Sequence, residues 1–393
     1  MSVAELRQPP EARGGFLEGV ALRILDQVLP RLEGGTLVVG DRRYGSGPEV
    51  RMQVHSTRLL QRIATRGAVG LGESYVAGEW DADDLPALLG LLLANAEAGV
   101  ARHPRLHRLM TARPRLRRRN GLLRARRNIA YHYDLGNDLY ELMLDETMTY
   151  SCGIFGEDDS LEAAQLRKLR AICDKLQLGP GSHVLEIGCG WGSFAEVAAR
   201  EYGARVTGLT ISAEQAAYAR RRLAGLDVEI LEQDYRLHEG RYTHVASIEM
   251  LEAIGDDQWP TYFGAIDRLL APGGRAVVQT ILIPDARFER YRRTPDWIER
   301  YVFPGCLIPS LAALGPALAR TRLGVYGVDE IGPHYADTLK GWRERFFAAL
   351  PQVRALGYDE RFVRTWDFYL ASCEAGFRTR WLRDAQLVLE RST

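Results

Sequence analysis

Two acidic residues follow one apolar, strand-like run, in the stretch SIEMLEAIG at 247–255. Open α/β sheets bind ligands at the carboxyl ends of their strands, which is where Glu249 and Glu252 would lie. The simpler interpretation is that both acids belong to an exposed helix start. Because Met250 and Leu251 are among the apolar neighbours of Glu252, we favour a partly buried carboxylate at that position.

One cysteine, Cys152, stands between a serine and a glycine in the stretch TYSCGIF at 149–155. A nucleophilic cysteine needs a neighbouring base or positive charge, and these residues provide neither. We therefore predict that Cys152 is not a nucleophile. A buried core cysteine is the simpler interpretation of this residue, and a non-covalent role in the site is the other. The chain has five cysteines in all. Their number is odd and no pair has CxxC spacing, so neither a disulfide framework nor a metal site is indicated.

A glycine-rich turn lies between a strand pattern and a helix pattern in HVLEIGCGWGSFAEVA at 183–198. Its spacing is GxGxG, which differs from the GxGxxG of dinucleotide sites. Gly188 and Gly190 let the backbone turn sharply beside a ligand. Glu186 comes just before the turn, and a carboxylate there suits a cationic or hydroxyl-rich ligand better than a pyrophosphate. The stretch thus favours S-adenosylmethionine over NAD.

The next two strands carry further candidate cofactor contacts. NAD sites usually place an acid about 20 residues beyond the glycines, whereas the strand end GLTISAEQ offers Thr210, Ser212 and Gln215. Ser212 also suits an ordinary helix N-cap, and both interpretations can hold. After the third strand, Asp234 could accept a hydrogen bond from an adenine amino group, and Tyr235 could stack on the ring.

Composition separates three regions along the 393 residues. Residues 1–100 alternate short strand and helix patterns and predict a small α+β domain. Residues 101–128 form an Arg-rich linker. Residues 129–393 alternate apolar strands with amphipathic helices, which predicts a catalytic domain with a parallel sheet covered by helices on both faces. Lys plus Arg and Asp plus Glu both number 51, so the net charge does not indicate a nucleic-acid partner.

The linker itself contains eleven arginines and no acid, with leucines interleaved. Charge runs are usually solvated linkers. An amphipathic surface helix on an anionic membrane is the other interpretation, because each basic residue near such a surface contributes about 1 kcal/mol. The first residues do not form a signal peptide, and no stretch has the roughly 20 apolar residues of a membrane span. We expect a soluble protein in a reducing compartment.

Seven motifs occur in one order along the chain: YHYDLGNDLYELMLDETMTYSCG, VLEIGCGWGSFA, GLTISAEQ, QDYR, EMLEAIG, YVFPGCLIPS and HYADTL. Together they resemble the cyclopropane-fatty-acyl-phospholipid synthase family, which includes the mycolic acid cyclopropane synthases. The match runs from about residue 129 to the end. GLGESYVAGEWD, nearer the start, is typical of the branch that acts on phospholipids, and this resemblance implies that residues 1–100 form a domain associated with lipid or membrane.

The resemblance implies a class I S-adenosylmethionine-dependent methyltransferase fold, Rossmann-like, with a mostly parallel seven-stranded sheet. Such enzymes transfer the methyl group to the cis double bond of an acyl chain in a phospholipid. A carbocation forms, bound bicarbonate removes a proton, and a cyclopropane ring closes. The resemblance further implies a cytoplasmic protein, peripherally associated with the inner face of the cell membrane, and often a homodimer.

The same resemblance assigns roles to individual residues. Those that would contact S-adenosylmethionine are Tyr133, Tyr150, Ser151, Gly188, Gly190, Thr210, Ile211, Gln215, Asp234, Tyr235 and Ile248. Those that match positions of the bicarbonate pocket are Cys152, Glu252, Tyr335 and, through its backbone, Ile281.

One residue departs from the family pattern. Gln279 stands where well-characterised cyclopropane synthases place a histidine ligand of bicarbonate, and glutamine can neither carry a positive charge nor shuttle a proton. Relatives of the family make methyl-branched, methylene or furan-precursor fatty acids, some with a partner oxidoreductase, so the product stays open. A nicotinamide-dependent oxidoreductase and a silent lipid-binding protein are the two rival classes.

Overall fold

The structure is a computed structural model, in which side chains are described up to residue 96 of the N-terminal region and again from residue 136. The residues that it describes are 29, 32–102, 136–157, 159–294 and 296–393. The predicted cofactor residue Tyr133 and almost all of the Arg-rich linker lie outside them.

The chain folds into strands and helices that largely follow the predicted alternation. In the described residues, the strands are β1 (Gly35–Val39), β2 (Arg42–Ser46), β3 (Glu49–Val54), β4 (Trp80–Ala82), β5 (His183–Ile187), β6 (Arg205–Thr210), β7 (Val228–Glu232), β8 (Tyr242–Ile248), β9 (Leu270–Leu282), β10 (Leu323–Glu330) and β11 (Arg383–Arg391). The helices are α1 (Arg58–Arg66), α2 (Ala68–Val76), α3 (Leu85–Arg102), α4 (Asn137–Met143), α5 (Leu161–Leu176), α6 (Ser193–Tyr202), α7 (Ala213–Arg222), α8 (Trp259–Leu269), α9 (Asp285–Tyr291), α10 (Trp297–Tyr301), α11 (Leu311–Leu318), α12 (Pro333–Ala348), α13 (Leu350–Ala355) and α14 (Glu360–Arg378), with a short 3-10 helix at Leu251–Ala253.

One compact unit contains the described N-terminal residues. Its four-stranded sheet has the order β2-β1-β3-β4. Strand β2 was not predicted, because its segment is rich in turn residues. The segments Arg290–Val302 and Leu350–Trp381 belong to the same unit. Helix α14 packs on α2 and α3, and Asp367 of α14 accepts a 2.5 Å hydrogen bond from the hydroxyl of Tyr75.

This grouping differs from the predicted domain boundaries, which assigned everything from residue 129 onward to one catalytic domain. The physical reason lies in α14. Phe368 is buried, and its ring contacts Trp297 edge-on and Tyr75 at centroid distances of 4.8 and 5.6 Å. The amphipathic pattern of a helix predicts a buried face, yet it does not identify the partner of that face.

The other unit is built on the predicted seven-stranded sheet, with the order β10-β11-β9-β8-β5-β6-β7. The pairs from β9 to β7 are parallel, and β11 and β10 are antiparallel. The prediction of a mostly parallel sheet is therefore confirmed. Apolar side chains such as Leu169, Phe194 and Val206 join α5, α6 and the sheet in one buried cluster. Among the described residues, no helix has the length and apolar content to cross a bilayer.

Candidate active site

The glycine-rich turn joins β5 to α6, as predicted. Gly188 and Gly190 have φ values of +84° and +51°, where a side chain is strained. No atom lies within 4 Å of the position that a Cβ would take at Gly190, so the turn has an open side there. A Cβ at Gly188 would lie 3.1 Å from Cγ of Met250. The turn after β8, which carries the two acids, is thus a direct neighbour of the glycine turn.

Glu186 precedes the glycine turn and is buried. Its Oε2 has no hydrogen-bond partner among the described atoms. Burial raises the pKa of this carboxyl well above its usual range, while Lys168 opposes the rise. A buried polar atom without a partner calls for an explanation, and a ligand group is one. Together with the open side of Gly190, it fits the predicted S-adenosylmethionine site.

The turn after β6 combines capping with a candidate ligand surface. The side chain of Ser212 caps α7 by accepting from the Gln215 N–H. Thr210 Oγ1 donates to Gln215 Oε1 at 3.0 Å, and both side chains are buried. Ile211 and Ile248 are half-buried at the same edge of the sheet. This turn therefore brings together Thr210, Ile211 and Gln215, which the resemblance assigns to the cofactor.

Two of the predicted cofactor residues, Asp234 and Tyr235, follow β7. Asp234 is paired with Arg236 by a 2.6 Å contact between Oδ2 and Nη2, so its carboxylate already has a charged partner. Tyr235 packs edge-on against Tyr262, with an interplanar angle of 81°. The Tyr235 hydroxyl has no partner in the described chain, and burial raises its pKa.

The TYSCG stretch is held against α5 by two buried side chains that sequence reasoning missed. Gln165 Nε2 donates to the Ser151 carbonyl at 2.8 Å, and Lys168 Nζ donates to Ser151 Oγ at 2.7 Å. The two helix residues are three apart and share one face. Burial lowers the pKa of Lys168 to about 8. An amphipathic helix pattern gives no sign that this lysine is fully buried.

Glu249 is the centre of the hydrogen-bond network. Its Oε1 accepts from the Cys152 N–H and from Gln279 Nε2, both at 2.8 Å, and its Oε2 accepts from the Tyr335 hydroxyl at 2.5 Å. Its backbone has a φ of +49°, which costs a non-glycine residue roughly 1–2 kcal/mol. The Glu249 N–H donates to the Gln279 carbonyl at 2.8 Å. Three of the residues predicted to hold bicarbonate thus bind a carboxylate of the chain itself.

Glu252 binds a different set of donors. Its Oε1 accepts from Thr280 Oγ1 at 2.7 Å and from the Ile281 N–H. Burial, followed by the negative charge of Glu249, raises the pKa of Glu252 to about 8. The predicted buried carboxylate is therefore present, and it is mainly neutral at pH below this value. Ile281, whose backbone the resemblance assigns to the bicarbonate pocket, contacts Glu252 directly through that backbone.

Strand pairing aligns a second set of polar side chains beside Glu249. Gln279 lies opposite Gln386 of β11, and Ile281 lies opposite Asp384. Gln279 Nε2 is 3.2 Å from Asp384 Oδ2, and Gln279 Oε1 accepts from Gln386 Nε2 at 3.0 Å. Burial and then Glu249 raise the pKa of Asp384 well above its usual range. Gln279 therefore uses both its donor and its acceptor groups.

Cys152 contributes its backbone to this site. The side chain is fully buried, with Sγ 3.2 Å from the Gly153 carbonyl oxygen. Burial, followed by the negative charges of Asp384 and Glu249, raises the pKa of the thiol well above its usual range. A protonated thiol is a poor nucleophile, which supports the interpretation that Cys152 forms no covalent intermediate.

The family model described as mycolic acid cyclopropane synthetase matches residues 121–387. The chain belongs to this family. Among its relatives, the tuberculostearic acid methyltransferase UfaA1 of Mycobacterium tuberculosis is 42% identical over 349 residues, covering 85% of this chain and 81% of that protein. The cyclopropane-fatty-acyl-phospholipid synthase of Escherichia coli K12 is 38% identical over 347 residues, covering 88% of this chain and 89% of that protein.

Solved structures of the mycolic acid cyclopropane synthetase family have the same fold. The cyclopropane synthase MmaA2 of Mycobacterium tuberculosis has a TM-score of 0.63 at 29% identity, covering 68% of this chain and 98% of that chain. The synthase CmaA1, complexed with SAH and CTAB, gives the same TM-score, identity and coverage. This family member is therefore an S-adenosylmethionine-dependent methyltransferase, and the predicted family, fold and enzyme class are confirmed.

Proposed function

We propose that this methyltransferase adds the methyl group of S-adenosylmethionine to the cis double bond of unsaturated acyl chains in phospholipids, and that cyclopropane fatty acids result. The observation that carries the proposal is the network around Glu249, directly beside the glycine-rich turn. The relative from Escherichia coli, named a cyclopropane-fatty-acyl-phospholipid synthase, supports the substrate class. The cofactor supplies an electrophilic methyl group when bound.

The side chains of the site suit a reaction through a cation. An alkene is a weak nucleophile, so it must be held in line with the methyl donor in a site that excludes water. The rings of Tyr150 and Trp342 lie 5.0 Å apart, and that of Tyr335 lies 6.0 Å from Trp342, edge-on. Aromatic faces attract cations, and the adjacent carboxylate of Glu249 adds a negative charge. These groups would stabilise positive charge on the acyl chain.

The resemblance predicts bicarbonate as the proton acceptor. The geometry disfavours that group, because the Cys152 N–H, the Gln279 amide and the Tyr335 hydroxyl already bind Glu249. A bicarbonate ion at this place would be repelled by the Glu249 carboxylate, which already binds the donors that the resemblance assigns to bicarbonate. No step of the proposed reaction depends on bicarbonate.

A methyl-branched or methylene product is the second candidate. Gln279 in place of the usual histidine favours it, because the charge around the cation differs from that in well-characterised cyclopropane synthases. The relative UfaA1, named a tuberculostearic acid methyltransferase, points in the same direction. A saturated branch requires two further hydrogens, which a partner oxidoreductase would supply.

The setting of the reaction is also a proposal. Phospholipid substrates require access to a bilayer, and the eleven arginines at 101–128 would attract an anionic surface. We place the enzyme on the cytoplasmic face of the cell membrane as a peripheral protein. A homodimer is proposed from the resemblance alone.

Lipid mass spectrometry tests the function. The protein is expressed in a bacterial host that contains unsaturated phospholipids and lacks such an enzyme. Acyl chains heavier by one CH2 group indicate a ring or a methylene group, and NMR of the purified lipid separates the two. Chains heavier by CH2 and two further hydrogens indicate a saturated methyl branch. If the purified enzyme binds S-adenosylmethionine and leaves all acyl chains unchanged, the proposed substrate class is wrong.

A further inference from the structure

Three hydrogen-bond donors from distant parts of the chain converge on Glu249. Cys152 lies before α5, Gln279 is on β9 and Tyr335 is in the first turn of α12. Their bonds to the Glu249 carboxylate measure 2.8, 2.8 and 2.5 Å. Donors arranged in this way favour an anion. The resemblance assigns the same three residues to bicarbonate, so a side chain of the protein occupies the place of the predicted anion.

Of the three carboxyl groups in this region, Glu249 is the most suitable to meet a substrate. Asp384 is fully buried and Glu252 is 8% exposed, whereas Glu249 is half-buried. The negative charge of Glu249 contributes to the raised pKa values of the other two groups. Of the three carboxyl groups, Glu249 is therefore the one exposed enough to meet a substrate.

The surroundings balance this negative charge. Lys168 is the buried cation on α5, and the charge of Glu249 opposes the lowering of the Lys168 pKa. Lys168 donates to Ser151, the residue before Cys152. Lys168 thus places a positive charge near Glu249 and contacts the stretch that is predicted to bind the cofactor.

We propose that Glu249 is the general base of the reaction and that this enzyme does not use bicarbonate. The inference rests on the proposed function. The π electrons of the double bond form a C–C bond to the methyl group as its bond to sulfur breaks, which releases S-adenosylhomocysteine and leaves a positive charge on the neighbouring carbon of the acyl chain. A Glu249 oxygen then removes a proton from the transferred methyl group, and the C–H electron pair closes the ring. The neutral carboxyl group later returns the proton to solvent.

The backbone at Glu249 provides a direct test. A glycine adopts a φ of +49° without strain, so Glu249→Gly should keep the turn and leave a cavity lined by the three donors. We expect turnover to fall about 10²–10⁴-fold, the usual contribution of a general base. Added bicarbonate should restore part of it in a saturable manner. Glu249→Gln fills the cavity, so it should lose turnover without rescue.

Binding is measured separately from turnover. Carbon-13 NMR of labelled bicarbonate should show saturable binding to Glu249→Gly and none to the wild type. Calorimetry should give similar S-adenosylmethionine affinity for all variants, and thermal unfolding should show that each is folded. Glu229→Gln, which removes an exposed carboxylate from edge strand β7, is the matched control and should behave as the wild type.

The outcomes separate this inference from the proposed function. Saturable bicarbonate binding to the wild type, or wild-type turnover that disappears in decarbonated buffer, would overturn the role of Glu249. Full turnover by Glu249→Gln would do the same. A wild type that modifies no acyl chain contradicts the proposed function, while the NMR comparison still decides which anion the three donors hold.

Discussion

Replacing Glu252 by glutamine should remove a large pH dependence from the stability of the protein. In the folded state, burial raises the pKa of Glu252 from 4.5 to about 8. At pH values below 4.5, the Glu252 carboxyl is protonated in both the folded and the unfolded states. As the pH rises towards 8, the unfolded chain releases this proton and the folded protein retains it, so the free energy of unfolding falls.

The size of the expected loss of stability follows from the rise in the pKa of Glu252. A pKa raised from 4.5 to about 8 corresponds, at 1.36 kcal/mol per pH unit, to a loss of up to about 5 kcal/mol. Glutamine keeps the size of the side chain and stays neutral. Its amide oxygen can still accept from Thr280 Oγ1 and the Ile281 N–H, the two donors bound by Glu252 Oε1. The variant should therefore lose much less stability on the same change of pH.

Urea unfolding at about pH 5 and about pH 9 measures the effect, because the difference between the two proteins cancels the other titrating groups. Near pH 5 the wild type and Glu252→Gln should agree to within about 1 kcal/mol. Near pH 9 the variant should be the more stable protein by several kcal/mol. Glu229→Gln, at an exposed position, should follow the wild type. If the free energy of unfolding changes with pH in the same way for the wild type and Glu252→Gln, the Glu252 carboxyl is not buried in its neutral form.

Three further predictions concern the cofactor, the network and the membrane. Gly190→Ala, whose new Cβ meets no protein atom within 4 Å, should leave the enzyme folded and weaken S-adenosylmethionine binding in calorimetry by at least about tenfold; unchanged affinity would remove the glycine turn from the site. Gln279→His should lower the free energy of unfolding by about 1–3 kcal/mol, because the Gln386 amide that donates to Gln279 Oε1 would lose its acceptor. The same variant should shift the lipid product ratio towards cyclopropane. Replacing Arg117, Arg118 and Arg119 by serine should weaken binding to anionic vesicles. Added salt should weaken the binding of the wild type too, because electrostatic attraction is screened over about 8 Å at physiological ionic strength. Vesicle binding that responds to neither change would make the Arg-rich segment a linker only.

Local patterns predicted the sheet and the edge at which the site lies. The turn before Gly190 and the cap at Ser212 depend on neighbours within a few residues, and both were predicted correctly. The burial of Glu252 was predicted for the same reason, from apolar residues on either side. The comparisons with known proteins then confirmed the family that the ordered motifs indicated.

The centre of the network could not be predicted in this way. Glu249 was noticed as an acid at the sheet edge, but its left-handed backbone leaves no trace in the residue type. Its donors Cys152 and Tyr335 are 97 and 86 residues away in the chain. Only tertiary folding brings them to one carboxylate. The departure at Gln279 was noticed in the sequence, but there it left only the product of the reaction open.

The position of β11 determines when the site is completed during synthesis. This strand is the last of its sheet in chain order, yet it lies between β9 and β10 and carries Asp384 and Gln386. A nascent chain lacking it would expose the open edges of β9 and β10, and Gln279 would lack its neighbours. The active enzyme can therefore form only after β11 has left the ribosome. Nascent chains that end before β11 should require chaperone protection and should show no methyl transfer.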